Sequence, residues 1–270
     1  MRLNPIPKIA SILFIVFVSG CASAGSSVAE NNGAYEEQAI VNGRSSFRYV
    51  EGDPFASLIA GFTASGYAQV EAFWKAPFPE PVDITLAPDR PQFEDAFPSE
   101  WGMSSTQCWM VGVGVADFLV MLSPAMWADQ ACEHDPADEQ HIRDILVHEL
   151  AHVYHGQRNP TRDFSGAEEI GWFAEGVAVL VAGQLDRKRL SDAREAIEND
   201  AAPDLLVNAW SGPYRYGVAG SIADYIDQHY GRSVLFNLLS VTSQDEFLNI
   251  LDISEEGLLH SWRRWVLEKE

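Results

Sequence analysis

The chain has 270 residues, 39 acidic against 18 basic, for a formal net charge of −21 with 47% hydrophobic residues. A surface this acidic repels nucleic acid and anionic lipid headgroups, and no basic patch in the sequence offsets it. The apolar fraction supports a full hydrophobic core, and no internal repeat suggests a solenoid or an array.

Arg2 and Lys8 flank the start of an apolar run of ten residues, Ile9 to Val18. That run is too short to cross a bilayer, which takes about 20 helical residues. Val18-Ser19-Gly20-Cys21 resembles the bacterial lipobox, so residues 1–20 read as a lipoprotein signal peptide. The resemblance implies cleavage before Cys21, lipidation of that cysteine, and a membrane-anchored protein in the bacterial cell envelope, on the periplasmic side or the cell surface. An ordinary secretory signal cut near Ala24 is the competing reading, and it too places the protein outside the cytoplasm. Without residues 1–20 the chain holds 16 bases and 39 acids, a net charge of −23. Residues 21–44, rich in Ala, Ser, Gly, Asn and Glu, read as a flexible tether. Residues 45–270 remain for one domain, with an α/β lobe over 45–156 and a helical lobe over 157–270.

The first lobe begins with a short strand, Phe47 to Val50. Asp53-Pro54 then opens a helix whose apolar face is Phe55, Leu58, Ile59, Phe62, Val70, Phe73 and Trp74. Val82 to Leu86 alternates as a half-buried strand does. Trp109 to Ala116 and Phe118 to Leu122 read as two adjacent strands ahead of Ser123-Pro124. With Cys21 set aside, Cys108 and Cys132 form an even pair in an oxidising compartment. A disulfide between them would close a loop of about 25 residues and contribute ~3 kcal/mol. Two free buried thiols are the alternative.

Next comes His148-Glu149-Leu150-Ala151-His152, an HExxH pattern inside a helical run. Asp135-Pro136 supplies a helix start, apolar residues recur at Ile142, Ile145, Leu146, Leu150 and Val153, and Gly156 with Pro160 ends the run. Histidines four apart on a helix lie on one face, so both imidazoles reach the same ion. Zinc accepts neutral imidazole at about 2.0–2.1 Å, and a catalytic site adds a third protein ligand while leaving a position open. Glu149 lies beside that position and can accept a proton there.

A third ligand is offered by the apolar helix Gly171 to Ala182, where Glu175 is the sole charge. A buried carboxylate is costly unless it is paired, protonated or bound to metal. Ser165-Gly166-Ala167-Glu168 has a capping-box pattern ahead of this helix, and Gly183 can end it. The remainder is helical: Ser191 to Asn199, Tyr214 to His229 with Gly231 as stop, and two helices started by Ser243 and Ser254.

The HExxH histidines, a glutamate 23 positions after His152 and the surrounding Trp172-x-x-Glu175-Gly176-x-Ala178 together resemble the gluzincin zinc metallopeptidases, the thermolysin-like group, and in particular their peptidase-MA-like branch. The likeness runs from about Phe47 to the C-terminus. It implies an α+β, zincin-like fold: a small mixed N-terminal sheet with helices, the active-site helix, then an all-helical C-terminal lobe. It also implies one Zn2+ per chain on His148, His152 and Glu175, Glu149 as general base, and a peptide or protein substrate. Gly112 to Ala116 would be the edge strand that pairs with substrate. Tyr216 would steady the oxyanion, with Tyr214 and His229 as alternates. The metzincin pattern fails, because it needs glycine and histidine where His155 and Arg158 stand.

Thermolysin-like enzymes often carry an aspartate where this chain has Val179. A partner for the second imidazole nitrogen is still expected, and Asp144 or a backbone carbonyl are the candidates. His155 lies two turns from His148, about 10 Å along the axis, and reads as a surface residue or a support to the site. A non-catalytic zinc-binding envelope scaffold and a hydrolase of peptidoglycan cross-links are the rival functions.

Overall fold

The computed structural model describes residues 35–40, 43–98, 101 and 105–269. The stretch read from sequence as a signal peptide, residues 1–20, and Cys21 lie outside the described residues. Five strands form one sheet in the order β1-β2-β3-β5-β4: β1 Tyr35–Ile40, β2 Ser45–Val50, β3 Asp83–Ala87, β4 Gly112–Val115 and β5 Phe118–Leu122. The two outer pairs, β1 with β2 and β4 with β5, are antiparallel, whereas β3 is parallel to both of its neighbours. Phe47, Ile84 and Leu119 stand opposite one another across β2, β3 and β5, and all three are fully buried. That row anchors the sheet to the helical layer by removing apolar area from water. The strand β1 falls inside the stretch read from sequence as tether; its Tyr35-Glu36-Glu37-Gln38 looks solvated because it is an exposed edge.

Helix α1, Ala56–Trp74, joins β2 to β3, the crossover that a parallel pair requires. Two short helices follow, α2 Arg90–Asp95 and α3 Trp127–Gln130, before the central helix α4, Glu139–Gly156. The start of α4 differs from the sequence expectation. Asp138 is its cap, accepting from the His141 N–H at 3.0 Å, while Asp135 closes a separate turn by accepting from the Ala137 N–H at 2.9 Å. Gly66 of α1 sits directly over α4, where an added Cβ would come within 2.7 Å of Leu150. A disulfide joins Cys108 to Cys132, with Cα atoms 5.3 Å apart.

The C-terminal part is helical: α5 Gly171–Val181, α6 Arg187–Glu198, α7 Arg215–Tyr230, α8 Arg232–Asn237, α9 Gln244–Leu251 and α10 Glu255–Glu268. The fold is therefore α+β, a small N-terminal sheet followed by a helical part. Ser243 and Ser254 cap α9 and α10 as expected. The capping box before α5 does not form. Glu168 accepts from the Gly166 N–H, Ser165 turns its hydroxyl to Asp163, and a single 3-10 turn leads into the helix. Asp186, not Ser191, opens the charged helix α6 by accepting from the Arg189 N–H. Helices α5 and α7 pack backbone to backbone: a Cβ on Gly176 would lie 2.4 Å from the Ala219 carbonyl oxygen. Among the described residues no helix is long and apolar enough to cross a membrane.

Candidate metal centre

The middle of α4 carries His148 and His152 one turn apart, and both are buried. Because α5 packs against α4, Glu175 comes to the same point from the opposite side. His148 Nε2 and His152 Nε2 are 3.1 Å apart, and Glu175 Oε2 lies 3.3 Å from the first and 3.6 Å from the second. Three ligands at about 2.1 Å around a tetrahedral ion stand ~3.4 Å from one another. The observed triangle has those edges without further movement. The donor set, two imidazoles and a carboxylate, is also one that suits zinc. No other group of three histidine, cysteine or acidic side chains among the described residues comes together in this way.

Burial alone would push the Glu175 carboxyl upward, but the two imidazoles outweigh it and hold the group well below the usual carboxylate range. Glu175 is thus a ready anionic ligand. His148 is oriented by Gln184, whose side-chain oxygen accepts from Nδ1 at 3.0 Å. With Nδ1 engaged by Gln184, Nε2 faces Glu175 and His152, and in the neutral ring its lone pair would be presented to a cation held among the three. The chain puts Gln184 there through the end of α5. Gly183, at φ 75°, donates to the Leu180 carbonyl and Gln184 donates to that of Val179, a Schellman turn. Nothing in the local sequence marks Gln184 for this role, which arises only where the end of α5 meets α4. Asp144, the candidate read from sequence, accepts from Gln140 on the helix surface at 2.7 Å.

Glu149 faces the glycine strand. An added Cβ on Gly112 would lie 2.8 Å from Glu149 Cγ, and one on Gly114 would lie 2.3 Å from the Glu149 carbonyl oxygen. Glycines therefore allow β4, an edge strand of the sheet, to rest directly on the Glu149 turn of α4. Burial raises the Glu149 carboxyl to about 7; the Glu175 charge adds to the rise, and His148 and the Gly114 N–H oppose it. A carboxyl near neutrality can both accept and return a proton.

Tyr216 lies on the first turn of α7, edge-on to Trp210 at 4.7 Å. Its ring is contacted by the guanidinium groups of Arg189 and Arg215, at 4.7 and 5.1 Å from the centroid. Burial raises its hydroxyl, the Glu175 charge raises it further, and the two arginines offset part of this. The alternates lie elsewhere: Tyr214 donates to Glu195 at 3.0 Å, and His229 is at the far end of α7, bonded to the Tyr225 carbonyl.

His155 is not a surface residue. It is 1% exposed and packs edge-on to Phe164 and Phe173, and neither ring nitrogen finds a hydrogen-bond partner among the described residues. A second histidine pair, absent from the sequence expectations, lies where α4 begins. His134 Nδ1 is 2.9 Å from His141 Nε2, and His134 Nε2 donates to the Trp109 carbonyl at 2.8 Å.

No protein-family model matches the sequence, and no curated protein matches it. Among solved structures, the M1 zinc metallopeptidase of Deinococcus radiodurans is similar at 14% identity and a TM-score of 0.43, covering 82% of this chain and 48% of that one. A point mutant of that enzyme gives 14% identity and a TM-score of 0.44, covering 81% and 48%. The chain spans about half the length of these two structures.

Proposed function

We propose that this protein is a zinc-dependent hydrolase of peptide bonds, of gluzincin type, holding one Zn2+ on His148, His152 and Glu175. The observation that carries the reading is the triangle of donor atoms with edges of 3.1, 3.3 and 3.6 Å, beside the Glu149 carboxyl on the first of its two helices. Bound there, zinc supplies a Lewis acid that polarises a carbonyl and acidifies a water. Glu149 takes a proton from the attacking water and hands it to the leaving amine. Tyr216 donates to the oxygen on which negative charge develops. The free edge of β4, the last strand of the sheet, pairs with the backbone of an extended substrate, and Gly112 keeps that approach open. The catalytic unit extends over residues 45–270, and β1 adds Tyr35–Ile40 to its sheet.

The test combines metal analysis of the purified protein with hydrolysis of a peptide library and of cell-wall fragments, with and without chelator. Chelator-sensitive cleavage of peptides is the expected result. Cleavage confined to wall fragments would make the protein a cross-link hydrolase, and zinc without any hydrolysis would make it a scaffold. Glu149→Gln should keep metal and fold while losing hydrolysis; equal activity in that variant removes Glu149 as base. Export and anchoring through lipidated Cys21 belong to the same proposal, and the Cys108–Cys132 disulfide, a bond of oxidising compartments, supports export. Palmitate incorporation that persists in Cys21→Ser would overturn the anchor.

A further inference from the structure

Arg215 is the first residue of α7, and its surroundings are unusual for a cation in so acidic a chain. Although acids outnumber bases by 39 to 18, no carboxylate among the described residues comes within 4.0 Å of its guanidinium. Three aromatic rings surround it instead: Tyr216, Trp109 and Trp210, with centroids at 5.1, 5.3 and 5.9 Å. Such rings stabilise the charge, and the Tyr216 hydroxyl accepts from one of the five N–H donors, but the fork as a whole has no anionic partner among the described residues. The positive end of the helix dipole is likewise no partner for a cation.

The rings tie Arg215 to both walls of the site. Trp109 comes from the sheet side, three residues before the glycine that lies against Glu149. It is fixed by the Cys108–Cys132 disulfide next to it and by His134 on its carbonyl. Tyr216 comes from the helical side, where its hydroxyl senses the Glu175 charge. A second arginine without a carboxylate partner, Arg189, lies on the same Tyr216 ring and donates to the backbone carbonyl of Gln184, the residue that orients His148. Two guanidinium groups, neither with a carboxylate within 4.0 Å among the described residues, therefore share the Tyr216 ring, and one of them bonds the residue that orients His148.

We propose that Arg215, backed by Arg189, is a specificity-determining residue that binds a substrate carboxylate next to the metal centre. This rests on the peptidase reading above, and it makes peptides with a negative charge near the cleaved bond the preferred substrates. The carboxylate is either the peptide C-terminus or an acidic side chain; an arginine fork grips both in the same bidentate manner.

The test uses the zinc-loaded full chain carrying Glu149→Gln, so that binding is read without turnover, with Trp109 and Trp210 fluorescence or calorimetry as the signal. Peptide pairs differ only in charge: free C-terminal acid against amide, and internal Glu against Gln. The charged member of one pair should bind about tenfold or more tightly, and which pair responds identifies the source of the carboxylate. Adding Arg215→Gln should bring that ratio close to one, Arg215→Lys should keep part of it, and Arg189→Gln should reduce it; rising salt should weaken it throughout. Equal affinities within both pairs, or a ratio untouched by either glutamine variant, overturns the proposal. Should Arg215→Gln fail to fold, Arg215→Lys and Arg189→Gln decide the question. A charge preference in binding, with no cleavage by the parent protein, supports the subsite and sinks the peptidase reading instead.

Discussion

His148 donates from Nδ1 to the side-chain oxygen of Gln184 at 3.0 Å, and this bond leaves Nε2 free to face Glu175 and His152. A metal-ligating histidine held through its other nitrogen keeps both its tautomer and its ring angle. Gln184→Ala should therefore lower zinc affinity by about 10–100-fold, measured by competition with a chromogenic chelator, with little change in the metal-free melting temperature. Gln184→Glu, which keeps an acceptor at the same reach, should retain most of the affinity. Unchanged affinity in the alanine variant would remove Gln184 from the account.

The two glycines of β4 make opposite demands. At Gly112 an added Cβ meets the Glu149 side chain, at 2.8 Å from Cγ and 3.1 Å from Oε1; at Gly114 it meets backbone, 2.3 Å from the Glu149 carbonyl oxygen. A side chain can swing aside, whereas a strand resting on a helix must move as a unit. Gly112→Ala should thus displace the carboxyl and reduce kcat/KM by up to about 100-fold while the melting temperature changes little. Gly114→Ala should cost about 1–3 kcal/mol of stability by overpacking. Thermal melts and peptide hydrolysis on both variants check this, and the same profile for the two would contradict the close approach of β4 to α4.

Much of this site was legible in the sequence because its parts are local. His148 and His152 share a helix face through their four-residue spacing, and Glu175 stood out as the lone charge in an apolar helix. The paired strands around Ala116-Asp117 and the caps Ser243 and Ser254 were equally readable, since each is set by a few neighbouring residues. What escaped depends on how distant segments meet. Gln184 gains its role only because the Schellman turn at Gly183 aims it at α4. His155 reads from sequence as a surface residue or a support to the site, and its burial shows only once Phe164 and Phe173, both C-terminal to that helix, are folded over it. Asp135-Pro136 carries a valid start signal, yet Asp138 is the residue whose carboxylate reaches an N–H of α4. Composition hid β1, because an edge strand with one wet face has the same residues as a linker.

The Cys108–Cys132 disulfide encloses the β4–β5 hairpin and is adjacent to Trp109, whose ring lies 5.3 Å from the Arg215 guanidinium. Its loss should release a loop whose closure is worth about 3 kcal/mol in the chain-entropy model. Cys132→Ser is expected to melt several degrees lower than the parent protein and to respond to reductant no further, whereas the parent should fall to a similar temperature on reduction. Should reductant leave the parent's melting temperature unchanged, the bond contributes nothing to the fold.

His155 is a buried histidine with no acceptor for its N–H and no donor for its lone pair among the described residues. Burial lowers its pKa from 6.5 to about 3; the charge of His152 acts in the same direction, and the Leu239 carbonyl, which already accepts from Asn159, restores little. The neutral ring is the folded form. Above pH 6.5 neither state binds a proton at this site, so it has no effect on the pH dependence of folding there. As pH falls from 6.5 toward 3, the unfolded chain gains a proton that the folded chain refuses, and stability declines by up to about 1.4 kcal/mol per pH unit. His155→Leu removes that proton linkage and two unsatisfied polar atoms, a change that is commonly neutral or stabilising. Urea unfolding of the metal-free proteins should show the variant equal to or more stable than wild type at pH 8, with the gap widening steadily at pH 6, 5 and 4. Parallel stability curves across that range would mean that His155 accepts a proton in the folded protein as readily as in the unfolded chain, contrary to its buried, unpartnered position.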